Sequence, residues 1–110
     1  MNRLVASALL CAATAFAQTN RGAITGTVMD QSQSVVPGAN ITVTNTRTNE
    51  VRRLTSSQSG TYSAADLDPV TYRVEVEMKG FKRSVIEEVK VDTASTSTVN
   101  VTLQAGTVDT

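Results

Sequence analysis

The side chains best suited to chemistry in this 110-residue chain are three carboxylate pairs: Asp66 with Asp68, Glu75 with Glu77, and Glu87 with Glu88. Paired carboxylates can do acid–base work when their environments drive their pKa values apart, or hold a hard cation through oxygen. Neither pattern is complete here. Asp66 and Asp68 could lend oxygens to calcium, but two acids fall short of the ligand set such a site needs. Glu75 and Glu77 share a strand face with Arg73 and Lys79, which reads as a charge-balanced, solvated surface. The chain has no histidine, which excludes histidine-dependent serine or cysteine triads and histidine-bearing zinc sites. Its single cysteine, Cys11, lies in an apolar leader, so the remainder offers neither thiolate nor disulfide. The sequence therefore assigns no catalytic, cofactor-binding or metal-ligating residue and no cofactor.

Two further motifs carry little chemistry. Gly22 to Gly26, G-A-I-T-G, lacks the lysine of a phosphate loop and precedes no helix, so it reads as strand. Asn40-Ile41-Thr42 and Asn100-Val101-Thr102 match the N-glycosylation sequon, with both asparagines at or in expected strands.

The N-terminus organises the rest. Arg3 supplies a positive start, Leu4 to Phe16 is apolar and rich in Ala and Leu, and Ala15-Phe16-Ala17 has the small-x-small pattern of a signal-peptidase site. The run is shorter than the roughly 20 residues a spanning helix needs. The expected organisation is a cleavable signal peptide at 1–17, a linker at 18–21, one domain at 22–104 and a C-terminal tail at 105–110. Export to the periplasm, the outer membrane or beyond follows, with no membrane span in the mature chain. Ten basic and ten acidic residues balance overall, and losing Arg3 leaves the mature part slightly negative. Neither nucleic acid nor an anionic membrane surface is an expected partner.

From Gln18 the chain alternates short Val, Ile, Thr and Tyr-rich runs with Gly, Pro, Asn, Asp and Ser, and shows no sustained helical spacing. The clearest run is Thr71 to Lys79, in which Tyr72, Val74, Val76 and Met78 alternate with charged residues up to Gly80. With strands at Ile24–Val28, Ile41–Thr44, Val51–Thr55, Tyr62–Asp66, Phe81–Val91 and Thr98–Leu103, the count is about seven at roughly 10-residue spacing, the arithmetic of a β-sandwich. Pro37-Gly38 suits a type II turn. The expected core is Ile24, Val28, Ile41, Val43, Leu54, Tyr62, Leu67, Tyr72, Val74, Val76, Phe81, Val89, Val91, Val99, Val101 and Leu103. Tyr62 and Tyr72 read as packing residues with polar tips rather than as a ligand-stacking platform.

The order G-A-I-T-G-T-V-M-D, V-V-P-G-A-N-I-T-V-T-N-T, S-G-T-Y-S, L-D-P-V-T-Y-R-V-E-V and K-G-F-K resembles the carboxypeptidase regulatory-like domain over Gly22 to Leu103. It is most similar to the copy that follows the signal peptide of TonB-dependent, Oar-like outer-membrane receptors. The resemblance implies a transthyretin-like (prealbumin-like), seven-stranded Greek-key-type sandwich, a fold also grouped with starch-binding-like domains, and a non-catalytic role. Two positions depart from the family. Gln33-Ser34 stands where Gly-Ala is usual, and Val70 where the turn usually has Gly; a β-branched residue resists positive φ, so that turn must differ in geometry or be strained.

The functional expectation is a bacterial, non-enzymatic interaction module, either a receptor's periplasmic N-terminal domain or a detached piece of one. Its partner would be a protein strand on an exposed sheet edge, or the receptor plug and barrel. The alternative is a stand-alone carbohydrate-binding or adhesin-like module, which would call on exposed aromatics to meet a glycan.

Overall fold

The computed structural model describes residues 21–106. The expected signal peptide, most of the linker and residues 107–110 of the tail lie outside the described residues. Those described form an all-β sandwich of eight strands with no helix: β1 (Gly22–Asp30), β2 (Asn40–Asn45), β3 (Val51–Thr55), β4 (Thr61–Leu67), β5 (Thr71–Glu77), β6 (Ser84–Lys90), β7 (Thr96–Thr98) and β8 (Val101–Leu103). The expected last strand, Thr98–Leu103, is interrupted at Val99–Asn100, and this turns seven runs into eight strands.

In the first sheet β1 lies between β4, antiparallel, and β7 and β8, which run parallel to it end to end. The second sheet has the order β3-β2-β5-β6, all antiparallel. Thr71–Glu77 is therefore interior to its sheet, and its alternation follows from having one face on the core. Val74 and Val76 are fully buried, while Arg73 and Glu75 point outward and form an ion pair at 3.5 Å.

The core is Ile24 and Val28 from β1, Ile41 and Val43 from β2, Tyr62, Ala64 and Leu67 from β4, Tyr72, Val74 and Val76 from β5, and Val89, Val91, Val101 and Leu103 from the C-terminal half, with Val36 and Ala39 beneath the turn before β2. Leu54, Phe81 and Val99, expected in the core, pack against it while only partly buried. Two β-bulges put the chain in phase. Ile24 opposes Ala64 but Gly22 opposes Leu67, and Val74 opposes Ile86 but Tyr72 opposes Val89. Each bulge contains an acidic residue in the left-handed region, Asp66 (φ 58) or Glu88 (φ 59). The extra residue lets Ala64 and Leu67, three apart, face the same side.

Both family departures now have a geometry. Gln33 takes the left-handed conformation (φ 69) that explains the usual glycine there. Its turn is held by Asp30, whose Oδ1 accepts from Ser32 N, Ser32 Oγ and Ser34 N at 2.9, 2.7 and 3.0 Å. Val70 has no positive φ. Its N–H instead donates to the Asp68 carbonyl at 2.8 Å, an i to i+2 bond that makes Pro69 the centre of an inverse γ-turn, which proline's fixed φ favours. The turn differs in geometry, and Val70 packs its side chain on the core.

Candidate functional site

Two regions collect functional-type side chains. The first is the end of the sandwich where the β2–β3 and β4–β5 connections meet. There Arg21, Asn45, Glu50, Arg52, Asp66, Asp68 and Tyr72 line a cleft of about 370 Å³. Arg21 donates through Nη1 to the Asp66 carbonyl at 3.2 Å and faces the Asp68 carboxylate at 3.7 Å. Arg52, on the inward side of an edge strand, donates to the Ala65 carbonyl at 2.7 Å and ties β3 to β4. Asn45, 4% exposed, accepts from Arg47 N and Thr48 N and shapes the β2–β3 turn.

Asp66 and Asp68 thus sit together, but Asp68 is matched by a guanidinium, and Arg21 and Tyr72 already bond the carbonyls beside the carboxylates. Among the described residues no three His, Cys, Asp or Glu side chains gather as a metal site. The Tyr72 phenol donates to the Asp68 carbonyl, four residues back, at 2.9 Å, a tyrosine-corner arrangement. Burial first, and then the Asp68 charge, raise its pKa, so it stays a protonated donor. The cleft is a network of arginines and backbone carbonyls, with no nucleophile set beside a base.

Tyr62 is likewise structural. It is 4% exposed, and its hydroxyl donates to the Val99 carbonyl at 2.6 Å. Both tyrosines are therefore spent inside the fold, as expected. The sequence reading missed Arg21 and Arg52. Arg21 carries no periodic signal, but Arg52 falls in phase with Leu54 on an otherwise apolar face, the mark of an edge strand whose long side chain wraps the rim.

The second region is the pair of open edges of the second sheet. The bonds Asn45 N to Glu50 O and Ser56 N to Ala39 O bracket the β2–β3 pairing and set its phase. Arg52 and Leu54 therefore turn their peptide groups toward β2, and Val51, Arg53 and Thr55 turn theirs outward. On the opposite edge, β6 presents Val85, Glu87 and Glu88, all exposed. Val51 and Val85, on the outer face at these two edges, are among the few exposed large apolar residues (45% and 40%).

The family model for the carboxypeptidase regulatory-like domain matches residues 23–104. The chain belongs to that family. No curated protein matches the sequence. Among solved structures, this carboxypeptidase regulatory-like domain is similar to the Bacillus anthracis TIE protein (TM-score 0.68, 22% identity, covering 78% of this chain and 17% of that one). It is also similar to a candidate carbohydrate-binding protein from Bacteroides uniformis (0.62, 18%, 78% and 42%) and to hydroxyquinol 1,2-dioxygenase from Pseudomonas putida (0.63, 9%, 83% and 58%). The chain spans less than two thirds of each of these proteins, and at such identities the likeness shows a shared sandwich.

Proposed function

We propose that this carboxypeptidase regulatory-like domain is a non-enzymatic, exported interaction module that receives a strand on an open edge of its second sheet. We place it as the periplasmic N-terminal domain of a TonB-dependent outer-membrane receptor. The observation that carries the reading is the contrast between its regions. In the charged cleft Arg21, Asn45, Arg52 and Tyr72 are spent on backbone groups of the fold itself, whereas β3 offers the outward peptide groups of Val51, Arg53 and Thr55 to an incoming strand. The signal-peptide pattern supports export, and the order of sequence motifs supports the receptor context. The carbohydrate-binding alternative gains nothing from Tyr62 and Tyr72, which are both buried and internally bonded.

The test is fractionation of bacteria producing the tagged chain, with photo-crosslinkers at Arg53 and, as a control, at Thr25 on the outer face of the first sheet. An envelope-fraction protein beginning at Gln18 that crosslinks to a plug-and-barrel polypeptide from Arg53 only is the expected result. Cytoplasmic material retaining Met1, or equal crosslinking from Thr25, overturns it.

A further inference from the structure

The edges of the second sheet are not equivalent. One, β3, carries Arg53 on its outer face, and the other, β6, carries Glu87, with Glu88 beside it in the bulge. None of the three joins an ion pair among the described residues. Edges of like charge repel, whereas these attract. Strand direction agrees with charge. In the order β3-β2-β5-β6 every neighbour is antiparallel, so β3 and β6 run oppositely. A second copy placed beside the first by translation therefore brings its β3 antiparallel to β6, continuing the sheet. Setting Arg53 opposite Glu87 also places Thr55 opposite Val85 on the same outer face. The first sheet is three strands wide and the second four, so β3 and β6 can meet without a matching pair of edges in the first sheet. At the far end of β6, Ser97 Oγ donates to the Lys90 carbonyl at 2.7 Å, which confines the free stretch to Val85–Glu88.

We propose that copies of this chain associate head to tail, the acidic β6 edge of one pairing with the basic β3 edge of the next. The contact is heterologous, so assembly is open-ended rather than a closed dimer. It is reversible and salt-sensitive, because the pairing charges are exposed and the bulge at Glu88 shortens the edge. The proposal rests on the strand-addition reading above but fails separately from it, since a foreign strand could still occupy β3.

The experiment is sedimentation velocity on the full chain over rising concentration at low and high salt. Arg53→Glu gives a copy with two acidic edges, and the double change Glu87→Arg, Glu88→Arg gives one with two basic edges. Mass that grows with concentration for the parent, falls at high salt and shifts to about tenfold higher concentration in either variant alone is expected. Mixing the two variants must restore association, because each then meets its opposite. Circular dichroism identical to the parent shows that both variants fold. A parent that remains monomeric at every concentration, or a mixture no more associated than its components, overturns the proposal. A closed dimer unaffected by Arg53→Glu does so too.

Discussion

The phenol of Tyr62 passes over Gly26 to donate to the Val99 carbonyl, 2.6 Å away and 37 residues along the chain. Tyr62 and Gly26 are direct cross-strand partners, so the ring covers the strand position that has no side chain. In a regular parallel ladder, after Val99 N bonds Thr25 O at 2.7 Å, the Val99 carbonyl would receive Thr27 N. Tyr62 occupies that carbonyl, and Asn100 Oδ1 accepts from Thr27 N instead, at 3.0 Å. One inserted hydroxyl thus accounts for the division of the last run into β7 and β8.

Gly26→Ala tests this arrangement. An added Cβ would overlap the Val99 carbonyl oxygen and lie 2.8 Å from the Tyr62 hydroxyl. Neither the strand backbone nor a buried ring can yield easily, so the variant should lose about 3 kcal/mol. The check is a urea midpoint shifted down with an unchanged slope.

Ser56→Ala should cost about 2 kcal/mol by the same measurement. The Ser56 hydroxyl, in a residue only 5% exposed, donates to Val36 O at 2.7 Å and accepts from Ala39 N at 2.8 Å. It bridges the ends of the Val36-Pro37-Gly38-Ala39 turn, where the expected direct bond is absent. Alanine leaves both peptide groups buried without that partner. Ser56→Thr, which keeps the hydroxyl, should lose less.

The two family departures should respond in opposite directions to restoration of glycine. Gln33→Gly should stabilise by about 1 kcal/mol, because a left-handed residue with a Cβ is strained. Val70→Gly should destabilise by about 2 kcal/mol, because it removes a packed side chain from a turn that has no positive φ and loosens the unfolded chain. Thermal unfolding of the two variants, with transitions moving up and down respectively, checks the pair.

Period and turn chemistry made the sandwich legible, since Val74, Val76, Ile41 and Val43 alternate cleanly on strands buried on one face. The bulges were visible only indirectly. Tyr62 and Leu67 are five residues apart, an odd spacing that cannot lie on one face of an unbroken strand, yet both are core. The break at Val99–Asn100 was not legible, because Thr98 to Leu103 alternates without fault and the cause is a hydroxyl from a distant strand. The cleft depends on Arg21 and Arg52 reaching backbone carbonyls, which have no sequence signature. The charged outer face of Arg73, Glu75 and Glu77 needed only alternation, but β5 ends at Glu77, so Lys79 falls in the following turn and Arg83 faces Glu77 at 3.5 Å instead.

Alkaline titration gives the Tyr62 contact its own signature. Burial raises the Tyr62 phenol from 10.0 to about 12, and the ionised form could no longer donate to Val99. The folded state therefore holds this proton more tightly than the unfolded chain does. The contribution is fully present below pH 10 and is lost as pH rises toward 12. Tyr62→Phe lacks the titrating group, so the stability difference between parent and variant should be constant below pH 10 and then fall as the parent loses stability faster. Chemical denaturation at pH 8 to 12, parent against Tyr62→Phe, measures it. A difference that stays flat across the window would mean that Tyr62 titrates as an exposed phenol, and that the hydroxyl does not hold Val99 in solution.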